Sequence, residues 1–452
     1  MIVEDIETRR FATRYGKIVS ASMPCEDIHP LDFLAFAEGQ ARFLWTNPNN
    51  QHVLAGFGSA IELSSWGKER IDAIQKQVKQ LFETSSHPAK PKLFGGFSFQ
   101  DEFTADNAWA NFAPAQFILP HYQLEQSSEG SFLSVHVEVQ DDGVEQTELE
   151  EILQMQYLHL KAFKQSQTKP SELLMLRDLT EADEWADMIH KAQRFMQDDK
   201  LKKVVFARMK EAQFEAPISI INALIYLEAH YDDCYRFLFE PKSGDAFLGA
   251  TPELLVSLQD DKAKSMALAA SAKRGLTKDE DEELAFTLLA DPKERREHRL
   301  VKEQIVQRLS KIGQVKVSET GVLKLKNIQH IYTPVEVTLE QTVTVLDLIK
   351  SLHPTPAMGG QPLNLAQSLI SELEALPRGW YAAPVGFIDA TMEGAFAVAI
   401  RSAVIQQERA WLFSGAGIMP GSIPEKEWQE TALKFTPMLK ALGIEVKKAS
   451  RA

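Results

Sequence analysis

Apolar residues recur with a helical period in five segments of the chain. Within each segment they lie three or four positions apart, which places them on one face of a helix. The predicted helices cover residues 67–83, 147–163, 181–197, 277–309 and a last segment that begins near Pro424. The pattern over 277–309 is long for one helix, and Asp291-Pro292 is predicted to interrupt it.

Shorter apolar runs, separated by turn residues, predict β-strands. The runs cover 131–139 and 203–209, with three more strands inside 235–258 and three inside 385–417. In the last group, the run AFAVAIRSAVI (395–405) is predicted as one strand. Consecutive strands joined by short turns pair antiparallel. The pattern therefore predicts an α+β fold: a large, mainly antiparallel β-sheet core with helices packed around it.

The segment 164–172 is polar and contains a proline, which makes it the best candidate for a linker. Residues 1–165 are predicted to form the N-terminal part of the fold, and residues 175–445 the catalytic region. Both parts are expected to belong to one compact domain.

The composition is typical of a globular protein in a reducing compartment. Of the 452 residues, 44% are apolar and 25% charged, and the two cysteines, Cys25 and Cys234, lie far apart. This spacing argues against a disulfide framework or a zinc knuckle, and it predicts a cytoplasmic location. No apolar run reaches the roughly 18 residues of a membrane span. Residues 1–16 also lack the apolar stretch of a signal peptide.

The net charge of −14 sets a condition on any ligand. An average field of this sign repels nucleic acid, so no nucleic-acid partner is predicted. A small anionic substrate is compatible with the charge where local cations offset the field.

Two predicted helices carry glutamates three positions apart: Glu294 and Glu297 in KERREH, and Glu427 and Glu430 in EKEWQE. This spacing places each pair on one helix face. Either pair alone is compatible with an ordinary solvated surface. Four carboxylates that converge would repel one another unless a cation lay among them, and an oxygen-only ligand set favours Mg²⁺ over Zn²⁺.

Seven motifs then occur in a fixed order: KERREH, QHIYT, LHPTPAMGG, RGWYAAPVG, AIRSA, GAGI and EKEWQE. Together they resemble the chorismate-utilising enzymes, which include isochorismate, salicylate, anthranilate and aminodeoxychorismate synthases. The resemblance is strong over residues 180–445 and weaker over the first third. It implies the chorismate-utilising enzyme fold and a Mg²⁺ ion bound directly by Glu297 and Glu430. Glu294 and Glu427 would act directly or through water.

The resemblance also implies how the two carboxylates of chorismate are held. The enolpyruvyl carboxylate would meet Tyr381, Arg401 and the backbone near Gly415 and Gly417, with the charge of Lys434 nearby. The ring carboxylate would meet Mg²⁺ and the backbone near Ala270 and Ser271. His330 and Thr355 would be further polar residues that line the site.

Three of these residues have simpler interpretations when they are taken singly. Arg401 alone would be a strand-surface arginine, and His330 alone a hydrogen-bonded core histidine. Lys434 alone would be the partner of Glu430 in a helical i, i+4 pair. Their places in the ordered motifs favour the site interpretation.

The resemblance implies Lys203 as the general base on water and Glu253 as the general acid at the departing hydroxyl. Taken alone, Lys203 is an ordinary strand-end lysine and Glu253 an exposed turn residue. The chemistry requires a lysine pKa lowered from about 10.4 and a glutamate pKa raised by desolvation. Mg²⁺ and Arg401 are the candidates for lowering the lysine pKa.

Ala269 separates the branches of the family. Aminodeoxychorismate synthases carry a lysine in a PIKGT-like segment that adds to the ring, whereas this chain has LAAS at 268–271. The resemblance therefore favours isochorismate synthase, an isomerase of the hydroxymutase type, closest to the menaquinone-pathway form. The product could serve menaquinone or siderophore biosynthesis. The chain departs from the family pattern in two places: Ala270-Ser271 replaces glycine-threonine, and Ala395 replaces a glutamate.

Three alternatives remain open from the sequence. A salicylate synthase would add pyruvate elimination in the same site, and a catalytically silent protein would bind chorismate without converting it. A synthase subunit of an amidotransferase would need a glutaminase partner. No glutaminase subunit is expected, because neither cysteine lies in a glycine-flanked nucleophile turn. The protein is expected to act as a monomer on the small molecule chorismate.

Overall fold

The structure is a computed structural model that describes residues 16–83, 89–101, 103, 107–139, 145–165 and 169–445. Residues 1–15 and 166–168, on which the predictions about the N-terminus and part of the linker rest, lie outside the described residues. Within the described residues the chain forms ten α-helices and 22 β-strands. No helix among them is long and apolar enough to cross a membrane.

The ten helices are spread along the whole described chain. They are α1 (Pro30–Phe36), α2 (Arg70–Phe82), α3 (Gln146–Ala162), α4 (Ala182–Gln197), α5 (Ile220–His230), α6 (Lys278–Ala290), α7 (Pro292–Leu309), α8 (Val345–Leu352), α9 (Leu363–Leu373) and α10 (Pro424–Ala441).

The strands pair antiparallel into two sheets. Those before α6 are β1 (Lys17–Pro24), β2 (Arg42–Thr46), β3 (Val53–Phe57), β4 (Ile61–Ser65), β5 (Lys92–Phe97), β6 (Ala115–Leu119), β7 (Tyr122–Ser127), β8 (Gly130–Val139), β9 (Leu173–Asp178), β10 (Lys203–Phe214), β11 (Tyr235–Lys242), β12 (Asp245–Thr251), β13 (Leu254–Gln259) and β14 (Lys262–Lys273). Those after α7 are β15 (Gly313–Val317), β16 (Gly321–Lys324), β17 (Ile328–Leu339), β18 (Gly360–Gln361), β19 (Pro384–Asp389), β20 (Gly394–Val398), β21 (Ser402–Gln406) and β22 (Arg409–Ile418).

Sheet A and sheet B are built from strands that are distant in sequence. In the described residues, sheet A has the order β1-β8-β7-β3-β2-β11-β12-β21-β22-β10-β18, and β9 also pairs with β10. Sheet B has the order β15-β17-β14-β13-β20-β19-β5-β6-β4, and β16 also pairs with β17. Both sheets take strands from either side of residues 165–175, and the domain boundaries stay a prediction.

The apolar core lies in three layers. Aromatic residues from both sheets meet between them, among them Phe43, Phe247 and Phe387. The outer face of sheet A packs against α1, α3, α5 and α10, and the outer face of sheet B against α2, α7 and α8. Each helix covers a sheet with one apolar face, which is the arrangement that the helical spacing requires. The predicted α+β class is confirmed.

The predicted interruption of the 277–309 helix is confirmed at Asp291. This residue has an extended backbone, and its side chain caps α7 by accepting hydrogen bonds from the amides of Lys293 (2.8 Å) and Glu294 (3.1 Å). Pro292 occupies the first turn, where its missing amide hydrogen costs nothing. Helix α7 therefore begins at a fixed point just before the first glutamate pair.

The prediction of one strand over 395–405 is wrong. The chain leaves sheet B after Val398 and enters sheet A at Ser402, and Arg401 between them has a left-handed backbone with φ of 51°. The sequence is apolar on both sides of Arg401-Ser402 because both strands are mostly buried. The strands β12 and β13 inside 235–258 are likewise in different sheets, with the crossing at residues 252–253.

Candidate active site

A cavity opens where the chain crosses between the two sheets, and the two crossings are adjacent. The amide of Val398 donates to the carbonyl of Glu253 at 2.9 Å, and the amide of Ala250 donates to the carbonyl of Arg401 at 3.2 Å. The side chains of Glu253 and Arg401 line the cavity and are buried. A crossing breaks the sheet ladder, so polar side chains there can point into a shared interior instead of onto a pleated face.

Strand β10 brings Lys203 to the wall of this cavity. Its neighbour β22 is aligned so that Val205 lies opposite Gly417 and Ala207 opposite Gly415. The Lys203 side chain is 1% exposed, and its Nζ lies 2.8 Å from Oε1 of Glu297. The lysine is therefore a buried half of an ion pair, and not the solvent-facing strand end that its sequence context alone indicates.

Helix α7 supplies the first glutamate pair. Its buried face includes Glu297, Val301, Ile305 and Leu309, which are four residues apart and pack against sheet B. The same spacing that buries the aliphatic residues carries Glu297 into the cavity at the beginning of the helix. Glu294 lies one turn earlier on the same side and is partly exposed.

Helix α10 supplies the second pair. Glu427 is buried, and Glu430 lines the cavity together with Lys434. Lys434 Nζ contacts Glu430 Oε1 at 2.6 Å and donates to the carbonyl of Gly415 at 3.0 Å. The i, i+4 pair expected from the sequence therefore forms, and it lies at the cavity wall.

Arg208 fixes α10 against sheet A. Its guanidinium lies 3.5 Å from the ring centroid of Trp428, and its Nε donates to Thr431 Oγ1 at 2.7 Å. Both partners are within one turn of Glu427 and Glu430. A cation stacked on an aromatic ring and hydrogen-bonded in the same place holds the helix in one register.

The four carboxylates of the two pairs interact with one another. Burial and the neighbouring Glu297 raise the pKa of Glu294 to about 7. Burial and Glu430 likewise raise the pKa of Glu427. Burial also acts to raise the pKa of Glu297, but Lys203 and other lysines outweigh it and hold that pKa below its usual value. Such mutual repulsion marks a place that would stabilise a cation.

Lysines balance these carboxylates in the structure. Lys203 pairs with Glu297 and Lys434 with Glu430, while Lys293 Nζ lies 3.6 Å from Glu294 and 3.3 Å from Glu427. As they are placed, the described histidine, cysteine, aspartate and glutamate side chains form no group of three that could hold a metal ion. The donor set itself, four clustered carboxylates, fits a hard divalent cation.

Arg401 and His330 form the cationic side of the cavity. Arg401 Nη2 donates to His330 Nε2 at 2.5 Å, and His330 Nδ1 lies 3.2 Å from the carbonyl of Ala270 and 3.1 Å from Ser271 Oγ. Burial, Arg401 and Lys434 lower the pKa of His330 well below its usual value. The imidazole is therefore neutral, with its proton on Nδ1 and its Nε2 lone pair directed at the guanidinium.

Two buried donors lack protein partners in the described residues. One is Nη1 of Arg401, whose side chain is otherwise fixed by His330, and the other is Oγ1 of Thr355. A buried guanidinium nitrogen without a partner is costly, and an anion in the cavity would satisfy it. Arg401 thus has the geometry of an anion-binding residue and not of a strand-surface arginine.

Ala270 lies at a β-bulge between β14 and β17. The pairing register shifts between Ala269 and Ser271, and Ala270 has a left-handed backbone with φ of 64°. This conformation favours glycine, which is the residue that the family pattern has here. The alanine lines the cavity and belongs to a small apolar cluster with Leu288 and Ile331.

Glu253 is the most strongly perturbed acid that lines the cavity. Its side chain is buried, and desolvation raises its pKa to about 8, although Lys203, Lys434 and Arg401 all act to lower it. At neutral pH the side chain is therefore mostly a neutral carboxylic acid that carries a transferable proton. The structure contradicts the exposed-turn interpretation of this residue.

Gly415 and Gly417 are required by close packing. A Cβ atom at 417 would lie 2.5 Å from Oε1 of Glu297 and 2.9 Å from Cε of Lys203. A Cβ atom at 415 would lie 2.9 Å from the carbonyl of Phe206 and 3.1 Å from the hydroxyl of Tyr381. Both glycines thus leave room for polar side chains that reach across the surface of β22.

The cavity gathers most of the residues predicted from the sequence. Those that line it are Lys203, Glu253, Ala270, Ser271, Glu297, His330, Tyr381, Arg401, Gly415, Gly417, Glu430 and Lys434. Glu294, Glu427 and Thr355 are not part of the lining and lie behind it. Ala395, the other departure from the family pattern, is on β20 and is also outside the lining.

Sequence reasoning missed Arg378, which lines the cavity and is buried. It donates to the carbonyls of Val205 (2.6 Å) and Met358 (2.9 Å), while Glu374 accepts from the amide of Ala207 at 2.8 Å. Arg378 and Glu374 thereby provide hydrogen-bond partners for backbone groups at the edge of β10, beyond the short strand β18. The i, i+4 spacing of Glu374 and Arg378 was a visible signal, and Arg378 begins the motif RGWYAAPVG.

The chain is similar to known proteins in sequence and in fold. The sequence matches the family model described as "Chorismate binding enzyme" over residues 6–443. It is 33% identical over 454 residues to isochorismate synthase MenF of Bacillus subtilis, covering 95% of this chain and 94% of that protein. It is 31% identical over 434 residues to the salicylate biosynthesis isochorismate synthase of Pseudomonas aeruginosa, covering 94% and 90%. The solved structure of MenF from Escherichia coli has the same fold, with a TM-score of 0.79, 24% identity, and coverage of 97% and 98%.

Proposed function

Because the chain belongs to the chorismate-binding enzyme family, we propose that it is an isochorismate synthase, an isomerase of the hydroxymutase type. The observation that carries the proposal is the set of side chains that line the cavity. Lys203 and the largely neutral acid Glu253 lie in one buried space with Arg401 and His330, and Ala269 occupies the position of an amine nucleophile. Such a site suits the addition of water to a dianionic substrate.

The reaction requires one proton to be taken and one to be given. Lys203, as the free amine, accepts a proton from water, whose oxygen bonds to C2 of the ring. The C1=C2 double bond moves to C1=C6 and the C5=C6 double bond moves to C4=C5. The bond from C4 to its hydroxyl oxygen then breaks, and the Glu253 carboxyl gives its proton to that oxygen, which leaves as water. The atoms balance, and one water enters for each that departs.

Arg401 holds the enolpyruvyl carboxylate through its buried Nη1, which has no partner in the described part of the chain. His330 fixes the guanidinium from the other side, because its neutral Nε2 accepts from Nη2. Tyr381 and the backbone near Gly415 and Gly417 complete this end. Thr355, whose hydroxyl has no partner among the described residues, adds a further polar group near the cavity.

Glu297 and Glu430, supported by Glu294 and Glu427, would hold Mg²⁺, and the ion would supply positive charge to the ring carboxylate when bound. The backbone near Ala270 and Ser271 meets the same carboxylate. Lys203 is paired with Glu297 in the structure, so the proposed base lies next to a proposed metal ligand.

Ammonia chemistry is not supported by the side chains present. Ala269 offers no amine that could add to the ring, and both cysteines are buried, at 2% and 0% exposure. Burial raises the pKa of the Cys25 and Cys234 thiols, which removes them as nucleophiles for glutamine hydrolysis. The cysteines of this chain therefore offer no glutaminase nucleophile. The proposal also includes a monomer that acts in the cytoplasm without a glutaminase subunit.

Product analysis tests this function. With chorismate and Mg²⁺ and without ammonia, the protein is expected to accumulate isochorismate in a reversible mixture with chorismate. Exhaustive chelation should abolish turnover, because the ring carboxylate would lose the positive charge that the ion supplies, and added Mg²⁺ should restore it. Chromatography of the reaction mixture distinguishes the products.

Three outcomes contradict the proposal. Salicylate formed at a comparable rate without an added lyase would identify a salicylate synthase. Anthranilate or aminodeoxychorismate formed from ammonia would identify a nitrogen-transferring enzyme. Full activity in metal-free protein would reject the magnesium site.

The pH dependence of kcat/KM provides a second test, since this parameter reports the free enzyme. Glu253 acts as an acid, so the active form is the protonated one. Its pKa of about 8 places the loss of that form above neutral pH, and kcat/KM should fall as pH rises through 8. An unchanged kcat/KM from pH 7 to pH 10, at constant ionic strength and Mg²⁺, would contradict Glu253 as the acid.

A further inference from the structure

Lys293 is the lysine of the glutamate cluster to which the proposed reaction gives no role. Lys203 and Lys434 line the cavity, whereas Lys293 lies outside it at the beginning of α7. Its Nζ is 3.3 Å from Oε1 of Glu427 and 3.6 Å from Oε1 of Glu294. It therefore joins the two helices that carry the glutamate pairs, through one carboxylate from each.

The exposure of the three lysines separates Lys293 from the other two. Its side chain is 36% exposed, compared with 1% for Lys203 and 19% for Lys434. An ammonium on a flexible four-carbon stem at the solvent boundary can leave its partners and be rehydrated at little cost. A buried lysine cannot leave its partners and become hydrated in this way.

We propose that Lys293 is a resident counter-ion of the cation site, which holds α7 and α10 together before the metal enters and weakens metal binding by competing for Glu294 and Glu427. The inference rests on the proposed function only in that the four glutamates bind a divalent cation. When all four carboxylates are ionised, the three lysines leave the cluster with one net negative charge. A divalent ion that binds must replace lysine charge or share the site with it.

Substitution of Lys293 by methionine keeps the length of the side chain and removes the charge. The substrate-free K293M protein should bind Mn²⁺ at least about 5-fold more tightly than the wild type, the ratio for one unit-charge interaction at about 4 Å in high dielectric. Electron paramagnetic resonance of free Mn²⁺ measures this directly, without chorismate. K293R keeps the charge and should bind with nearly wild-type affinity.

Thermal unfolding supplies the second measurement. Without metal, K293M should melt at a lower temperature than the wild type, because Glu427 and Glu294 lose their partner. At saturating Mg²⁺ the difference should shrink, since the cation then offsets the same carboxylates. Lys311, exposed beyond the other end of α7, gives the matched control K311M, which should change neither measurement.

Unchanged or weaker Mn²⁺ binding by K293M would overturn the inference, and so would a wild-type protein that binds no Mn²⁺. Tighter binding that K293R shares would also overturn it, because the effect would not come from charge. The proposed activity is judged separately. A protein that binds Mn²⁺ as described but forms no isochorismate would reject the isochorismate synthase and leave the counter-ion inference standing.

Discussion

Lys203→Gln and Glu253→Gln should each lower kcat by about 10²- to 10⁴-fold, which corresponds to roughly 3–5 kcal/mol of activation barrier. The first variant keeps a hydrogen-bond donor toward Glu297 but cannot accept a proton from water. The second keeps the shape and neutrality of the protonated Glu253 but has no proton to give. Steady-state kinetics at saturating chorismate and Mg²⁺ measure both losses.

Both variants are expected to fold. Glu253 is already mostly neutral at pH 7, with a pKa of about 8, so a neutral amide adds no buried charge. Lys203→Ala is the harsher test, because it leaves the buried carboxylate of Glu297 without its partner. Mg²⁺ present throughout should compensate for that loss, and the melting temperature verifies it.

Two further variants serve as comparisons for these losses of kcat. Lys202→Gln changes the exposed neighbour of Lys203 and should leave kcat unchanged. Arg401→Ala removes a group that holds a charged carboxylate in the ground state and the transition state alike. Its main effect should be a raised KM, with a smaller loss of kcat. A near-normal kcat in both Lys203→Gln and Glu253→Gln would reject the acid–base assignment even within the correct family.

Gly417→Ala should lower kcat/KM by about 100-fold or more through the addition of one methyl group. The new Cβ would lie 2.5 Å from Oε1 of Glu297 and 2.9 Å from Cε of Lys203, so the glutamate or the lysine must move. Displacements of about 1 Å in a catalytic site can cost this much. Gly417 does not have a left-handed backbone, so the clash and not backbone strain causes the effect.

The control for this substitution is Gly321→Ala. A Cβ atom at 321 meets nothing within 4 Å, and the backbone there is not left-handed either. This variant should keep the wild-type kcat/KM and melting temperature. Wild-type kcat/KM in Gly417→Ala, with the fold intact, would mean that the contact between Lys203 and Glu297 is not needed for turnover.

The glutamate pairs show how much of the site local sequence patterns can predict. The cap at Asp291-Pro292 fixes where α7 begins, and the apolar spacing from Val301 to Leu309 decides which of its faces is buried. With the helix and its face given, the place of Glu297 on the cavity side follows from the 3.6-residue period. The sequence alone therefore predicted the helix, the paired carboxylates and the need for a cation.

The partners of those carboxylates could not be predicted in the same way. Lys203 is 94 positions before Glu297, and His330 is 71 positions before Arg401. Local periodicity describes contacts within a few residues along a helix or across one strand pair. Contacts over longer separations depend on strand order, and β10 becomes the neighbour of β22 only in the folded sheet.

The crossing at Arg401 gives the physical reason most clearly. The segment AFAVAIRSAVI is apolar on both sides of Arg401-Ser402, because β20 is mostly buried in sheet B and β21 mostly buried in sheet A. The hydrophobic pattern alone therefore does not show that the two halves belong to different sheets. No glycine marks the turn, since Arg401 itself adopts the left-handed backbone. The sequence by itself determined the elements, their buried faces and the ordered motifs of the family. The tertiary structure decided where the chain changes sheets, and thereby which acid, base and cations share one cavity, because that choice depends on the packing of strands far apart in the chain.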